Sequence, residues 1–142
     1  MPFIIYPQAD NKLAIIIPTG DVNDAIKDVP ANTPYKIVNN LNIDDYFFDA
    51  YFFSETAPAS NYIEHSLPIA HSIQMNHWRA ARKAIFDELD VMYMKALELN
   101  DIDMQTFIAS KKKELRDVTN TPLPDDLPGI KATWPTVLGA RT

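Results

Sequence analysis

Three histidines, His65, His71 and His77, recur at intervals of six residues. On a helix that step turns successive side chains about 120° apart, whereas metal sites on one helix favour steps of three or four. The chain has no H-E-x-x-H pattern and no cysteine, so neither a zincin helix nor a thiolate site is expected. Carboxylates are plentiful at Asp44-Asp45, Asp49, Asp87-Glu88, Asp90 and Asp125-Asp126. A glycosidase-type pair needs two carboxyls across a cleft, and these fall at predicted turns and helix surfaces. Ser54, Ser60, Ser66, Ser72 and Ser110 lack the glycine-flanked elbow of a nucleophilic serine. With only 3 glycines there is no phosphate-cradling loop. The expectation is a protein without a catalytic, cofactor or metal site.

The charge balance narrows the partners. A formal net charge of -6 disfavours nucleic acid and anionic membrane surfaces. The opening Met1-Pro2-Phe3-Ile4 has no basic region of a signal peptide. The apolar run Leu13–Ile17 is far too short to span a bilayer. A soluble, cytoplasmic protein is expected. Positive charge is concentrated in Trp78-Arg79-Ala80-Ala81-Arg82-Lys83 and in Lys111-Lys112-Lys113. The first cluster reads either as helix-surface pairing, with arginine stems over apolar surface, or as a recognition patch for an acidic partner. The second compensates the dipole at the end of its helix.

The elements that must carry these residues form an α+β chain: a small N-terminal antiparallel β module with a short helix, then an antiparallel two-helix hairpin and an irregular tail. Residues 1–53 make the β module. Phe3–Tyr6 and Leu13–Ile17 are predicted strands around the turn residues Asp10-Asn11-Lys12. The unbroken apolar run of the second suggests burial on both faces or an oligomer contact. Asp21 is placed to cap a helix over Val22–Lys27, and Tyr35–Val38 alternates as a third strand. Tyr46–Phe53 carries five aromatic residues plus Tyr46 itself in eight positions. It reads as a strand with one face in the core or, alternatively, as an assembly surface.

Residues 54–67 form a proline-containing linker. Residues 68–118 are the helical hairpin. Ile69, Ile73, Trp78, Ala81, Ile85, Leu89, Met92, Ala96 and Leu99 make one stripe on the first helix. Asn100 is a left-handed stop and Asp101 or Asp103 the next cap. The second helix covers about Met104–Val118, with Met104, Ile108, Leu115 and Val118 inward. The short connection requires antiparallel helices. Residues 119–142 are a proline-rich tail, irregular apart from a turn of helix presenting Trp134. A hairpin of this size has too little to pack on by itself. Its stripe therefore needs the β module, the Trp134 tail or another chain. The candidate partner-binding residues are Phe47, Phe48, Tyr51, Phe52, Phe53, Trp78, Arg79, Arg82 and Trp134.

The segments His77–Lys83, Leu89–Glu98 and Lys112–Thr119, with the closing Leu127, Ile130-Lys131 and Trp134-Pro135, resemble small tailed-bacteriophage proteins of the tail or tail-fibre assembly chaperone type. Ile4–Asp10, Ile15–Gly20 and Asp28–Val38 are similar to the N-terminal module found with them. The resemblance covers most of the chain and implies no active site. It implies a chaperone-like assembly factor that binds a phage tail or tail-fibre protein in the host cytoplasm, with a homo-oligomer as a further possibility. The alternative it implies is a structural virion component: a small tail, fibre or adaptor subunit.

Overall fold

The computed structural model describes residues 2–56 and 62–141. The chain is α+β and divides into two compact units, residues 1–70 and 71–142. In the first, β1 (Phe3–Pro7) lies between β2 (Leu13–Ile16) and β3 (Lys36–Val38), antiparallel to both. Ile4 opposes Ile16 on one side and Ile37 on the other. The β1–β2 turn closes where Asn11 takes φ 67°, a left-handed conformation that asparagine tolerates. The Asp10 carboxylate accepts from the Lys12 amide at 3.1 Å.

Burial on both faces belongs to β1 and not, as expected, to β2. Ile4 and Ile5 point to opposite faces and both are fully buried, while β2 is an edge strand whose continuation, Ile17, is 66% exposed. Asp21 caps α1 (Val22–Ala25) by accepting from the Asn23 amide, and the turn continues as a 3-10 segment, Ile26–Asp28.

The aromatic run departs most from expectation. Asp45–Ala50 is 3-10 helical, and only Tyr51–Phe53 is a strand, β4. Asp44 starts the 3-10 turn, its carboxylate accepting from the Tyr46 amide at 3.0 Å, while its own amide donates to the Tyr51 hydroxyl at 2.9 Å. The backbone kinks at Phe47 (φ -108°, ψ 23°), which buries its ring, while Ala50 is buried as well and Phe48 faces outward.

β4 pairs with β5 (Ile63–His65), a strand inside the segment expected to be a linker. Of that segment, residues 57–61, Pro58 among them, lie outside the described residues. Asn11 ties the two sheets together: its carbonyl accepts from the Phe53 amide at 3.2 Å, and its side-chain amide donates to the Phe53 carbonyl at 3.3 Å. The core of this unit is Ile4, Ile5, Leu13, Val38, Phe47, Tyr51, Phe53 and Ile63.

The second unit is built on α2 (Leu67–Glu98), which enters it at His71, and α3 (Ile102–Arg116). Asn100, at φ 55°, ends α2. The Asp101 amide donates to the Ala96 carbonyl at 2.8 Å and the Asn100 amide to the Leu97 carbonyl at 3.1 Å, the paired bonds of a Schellman stop. Asp101 then caps α3 through the Met104 amide at 3.1 Å. Reversal within three residues makes the helices antiparallel, and bonds from Arg82 to Leu115 and from Gln105 to Ala96 follow that register.

The tail is more ordered than expected. A 3-10 turn (Asp117–Asn120), α4 (Leu127–Ala132) and a second 3-10 turn (Thr136–Leu138) run through it. Asp126 caps α4 by accepting from the Gly129 amide at 2.8 Å. A Cβ at Gly129 would lie 2.7 Å from that carboxylate and 2.9 Å from Pro124, so this position needs glycine for close approach. Trp78, Leu89, Ile108, Leu115, Val118 and Leu138 form the core, with Trp134, Ile85 and Tyr93 packed at its edge.

Candidate interaction surface at the hairpin tip

The nine candidate partner-binding residues do not form one surface. Phe47, Tyr51 and Phe53 belong to the core of the first unit, and Trp78 is fully buried in the second. These four cannot meet a partner while the fold is intact. Phe52 is half-buried on the outer side of β4, and Phe48 is exposed nearby in sequence. Arg79 is exposed and donates to the Asn76 side chain at 2.8 Å. Trp134 packs on the helical core, its indole N–H donating to the Gly139 carbonyl at 3.1 Å while the Arg141 guanidinium lies over its ring.

The Trp-Arg motif of α2 instead holds the base of the hairpin together. His71, Gln74, Trp78 and Arg82 follow one another by steps of three, four and four, on one side of α2. Each ends on a backbone carbonyl. The His71 Nε2–H donates to Pro124 at 2.8 Å. Buried Gln74 donates to Thr133 at 2.8 Å and Lys131 at 3.4 Å, and the Trp78 indole N–H donates to the same Thr133 carbonyl at 3.2 Å. Arg82 donates to Leu115 and Arg116 at 3.1 and 3.2 Å. Those last two carbonyls close α3, where orphan acceptors and the negative end of the helix dipole favour a cation. Arg82 is thus a cap on α3, while Trp78 beside it holds the tail at Thr133.

The opposite end of the hairpin is different. Among the described residues thirteen large hydrophobic side chains are exposed, and eight of them fall between Val91 and Phe107, which marks the tip as the main apolar surface. Leu99 is 76% exposed, Val91 67%, Met94 59% and Phe107 52%. Met92, Leu99 and Met104 were expected to point inward. They lie to one side of the line joining α2 to α3, and the tail covers that side only near Ala81 and Ile85, where Trp134 and Leu138 sit.

The helical repeat sorts the tip into two sides. Met94 and Leu97 lie with Ile102 on one side, and Val91, six residues before Leu97, is turned about 120° from it onto the back of α2. Met92, Leu99, Met104 and Phe107 lie on the other. The Asp90–Lys112 ion pair at 2.5 Å and the bond from Gln105 to Ala96 cross the hairpin on the first side. That first side is apolar, bordered by the Asp90–Lys112 pair and by the acids Asp87 and Glu98. Sequence reasoning overlooked it. The available signal was two apolar residues, Met94 and Leu97, placed off the core stripe of an otherwise amphipathic helix.

Among the described residues no group of three or more histidine, aspartate or glutamate side chains is arranged to hold a metal ion. No helix among them is long and apolar enough to cross a membrane. No family model matches the chain, and neither a curated protein nor a solved structure is significantly similar to it.

Proposed function

We propose that this chain is a chaperone-like assembly factor for the tail or tail fibre of a tailed bacteriophage, acting in the host cytoplasm during infection. It holds another structural protein of the particle on the side of the hairpin tip formed by Met94, Leu97 and Ile102. The observation that carries this reading is the concentration of exposed apolar side chains at one end of a well-capped hairpin. Surface of that kind costs solubility, and interaction is its usual use. Methionine and leucine adapt to irregular partner surfaces. The acidic border fits a segment that carries lysine or arginine beside its own apolar stripe, because opposite charges at a rim steer association. The sequence resemblance points to the same class of partner.

Affinity capture with the full chain from phage-infected cells tests the reading. A tail or fibre subunit should be recovered by the native chain and lost with the double substitution Met94→Gln, Leu97→Gln. Recovery of no tail or fibre subunit by the native chain would sink the proposal. Mass spectrometry of purified particles should find the chain absent; copies at fixed stoichiometry would make it a virion component instead.

A further inference from the structure

We propose that Met92, Met94 and Met104 make the hairpin tip an oxidation switch: a peroxide converts their thioethers to sulfoxides and turns the tip from apolar to polar while the fold stays intact. Release of the bound partner on oxidation rests on the assignment of the Met94 side to that partner. The change in the surface itself does not.

The first support is where the sulfur lies. The chain has no cysteine, so no thiolate competes for an oxidant, and its only sulfur atoms are the thioethers of five methionines. Met1 lies outside the described residues. Met75 is half-buried and packs against the core of the second unit. Met92, Met94 and Met104 are 41%, 59% and 38% exposed, and all three stand at the tip. None of them belongs to the core of the second unit or to the side chains packed at its edge. Access for an oxidant and independence from the fold therefore coincide at the same three residues. The other exposed apolar groups there, such as Leu97, Leu99 and Ile102, are hydrocarbon and do not react with peroxide.

The second support is the chemistry. A lone pair of the thioether sulfur attacks one oxygen of hydrogen peroxide. The S–O bond forms as the O–O bond breaks, and the other oxygen leaves as water after taking up a proton. Sulfur gives up the electron pair that the peroxide accepts. The product is polar and chiral. At a core position it would disrupt packing, but at an exposed helix position it stays in water, so folding is spared. An apolar surface that covers it must strip its hydration, so the cost falls on binding. The step is reversible: a dithiol, acting through the two methionine sulfoxide reductases, returns the thioether and yields a disulfide and water.

Peroxide treatment of the full chain, followed by peptide mapping in a mass spectrometer, is the test. Met92, Met94 and Met104 should oxidise about fivefold or more faster than Met75, in line with their exposure. The far-ultraviolet circular dichroism spectrum and the urea midpoint should stay native. Retention on a hydrophobic-interaction column should fall and should return after treatment with the two reductases and dithiothreitol. The triple variant Met92→Leu, Met94→Leu, Met104→Leu keeps apolar side chains of similar volume and has no thioether at the tip. Its retention should not respond to peroxide. From infected cells, capture of a tail or fibre subunit by the native chain should fall about fivefold or more on oxidation, and capture by the triple variant should not change. Met75 oxidising as fast as the tip residues, a fully oxidised tip with native retention, or a triple variant that loses as much retention as the native chain would overturn the inference. Failure of the untreated chain to capture any subunit would remove the partner assignment alone, since mapping and retention decide the switch without it.

Discussion

The two ends of the helical hairpin use the same two helices and end up with opposite surfaces. At the base, α2 sends His71, Gln74, Trp78 and Arg82 to backbone carbonyls of the tail and of the α3 terminus, and the tail lies over the apolar side chains beside them. At the tip, only α3 covers α2, and apolar residues continue on both sides of the pair with nothing over them. The difference does not come from apolar content, which is as high at the tip. It comes from donors. The base presents side-chain N–H groups that a returning chain can satisfy with its carbonyls, so a proline-rich segment with few internal bonds can be held there. The tip presents thioether and hydrocarbon, which attract apolar surface without specifying a backbone path. One end is thereby built to be closed from within and the other to be closed from outside.

That contrast can be broken from its boundary outward. Leu89 is the last core residue of α2 before the tip and is 8% exposed. Leu89→Asp removes its packing and places a carboxylate in the shared core, so a loss of about 4 kcal/mol or more is expected, with the second unit unfolding in a urea titration. A folded, fully helical Leu89→Asp chain would mean that base and tip do not share one core. Trp78→Ala should cost about 4 kcal/mol at the base, from the cavity and the lost indole bond to Thr133. Near-ultraviolet circular dichroism should also show the tail released, and retention of the native tail signal would show that Trp78 does not hold it. Gln74→Ala should cost about 2 kcal/mol, since the side chain is fully buried and its bonds to Thr133 and Lys131 are lost. Hydrogen exchange should then quicken across α4 while α3 near Asp101 stays protected; equal quickening at both ends would erase the distinction drawn here.

Much of this architecture was legible in the residues, and what was legible had local causes. Asn100 and Asp101 stop one helix and start the next through bonds within five residues, so their types announced the turn. The same holds for Asp21 before α1 and for the turn at Asn11. The hidden parts depend on distant partners. Tyr46–Phe53 has strand propensity throughout, yet the Asp44 cap and burial of Phe47 and Ala50 together turn its first part into a 3-10 helix. The strand β5 is three residues long and exists because β4 pairs with it; three residues carry no usable period. The 3-10 turns of the tail are hidden for the same reason, whereas the helical turn before Trp134 is legible. Most instructive are Met92, Leu99 and Met104. Their spacing matches a core stripe, but whether a stripe is covered depends on how far the returning chain reaches: Trp134 and Leu138 lie beside Ala81 and Ile85, and Met92, Leu99 and Met104, nearer the tip, stay exposed. Of the aromatic and basic candidates, Phe47, Tyr51 and Phe53 serve the core of the first unit and Trp78, Arg82 and Trp134 serve internal bonds at the base, while the exposed tip is mostly aliphatic.

The smallest expected effect on stability is the most discriminating. Met94 is 59% exposed and lies outside the core of the second unit. Met94→Gln keeps the side-chain length and helix propensity and removes only apolar surface. Its folding free energy should change by no more than about 0.5 kcal/mol, the range of ordinary surface substitutions, and its urea midpoint should overlay the native curve. If this side of the tip holds a partner, the same change should lower capture of that partner about fivefold or more, since a methionine at the centre of an apolar contact is replaced by an amide that must be desolvated. The corresponding change at the base cannot separate the two readouts: Gln74, Trp78 and Leu89 are core residues, and any loss of binding there would follow loss of fold. A Met94→Gln chain that is destabilised by 2 kcal/mol, on the order of a core substitution, would show that the tip is covered from within after all. One that is native in stability and binds undiminished would remove this side from the interface. Only unchanged folding together with diminished capture fits an end of the hairpin left open for another protein.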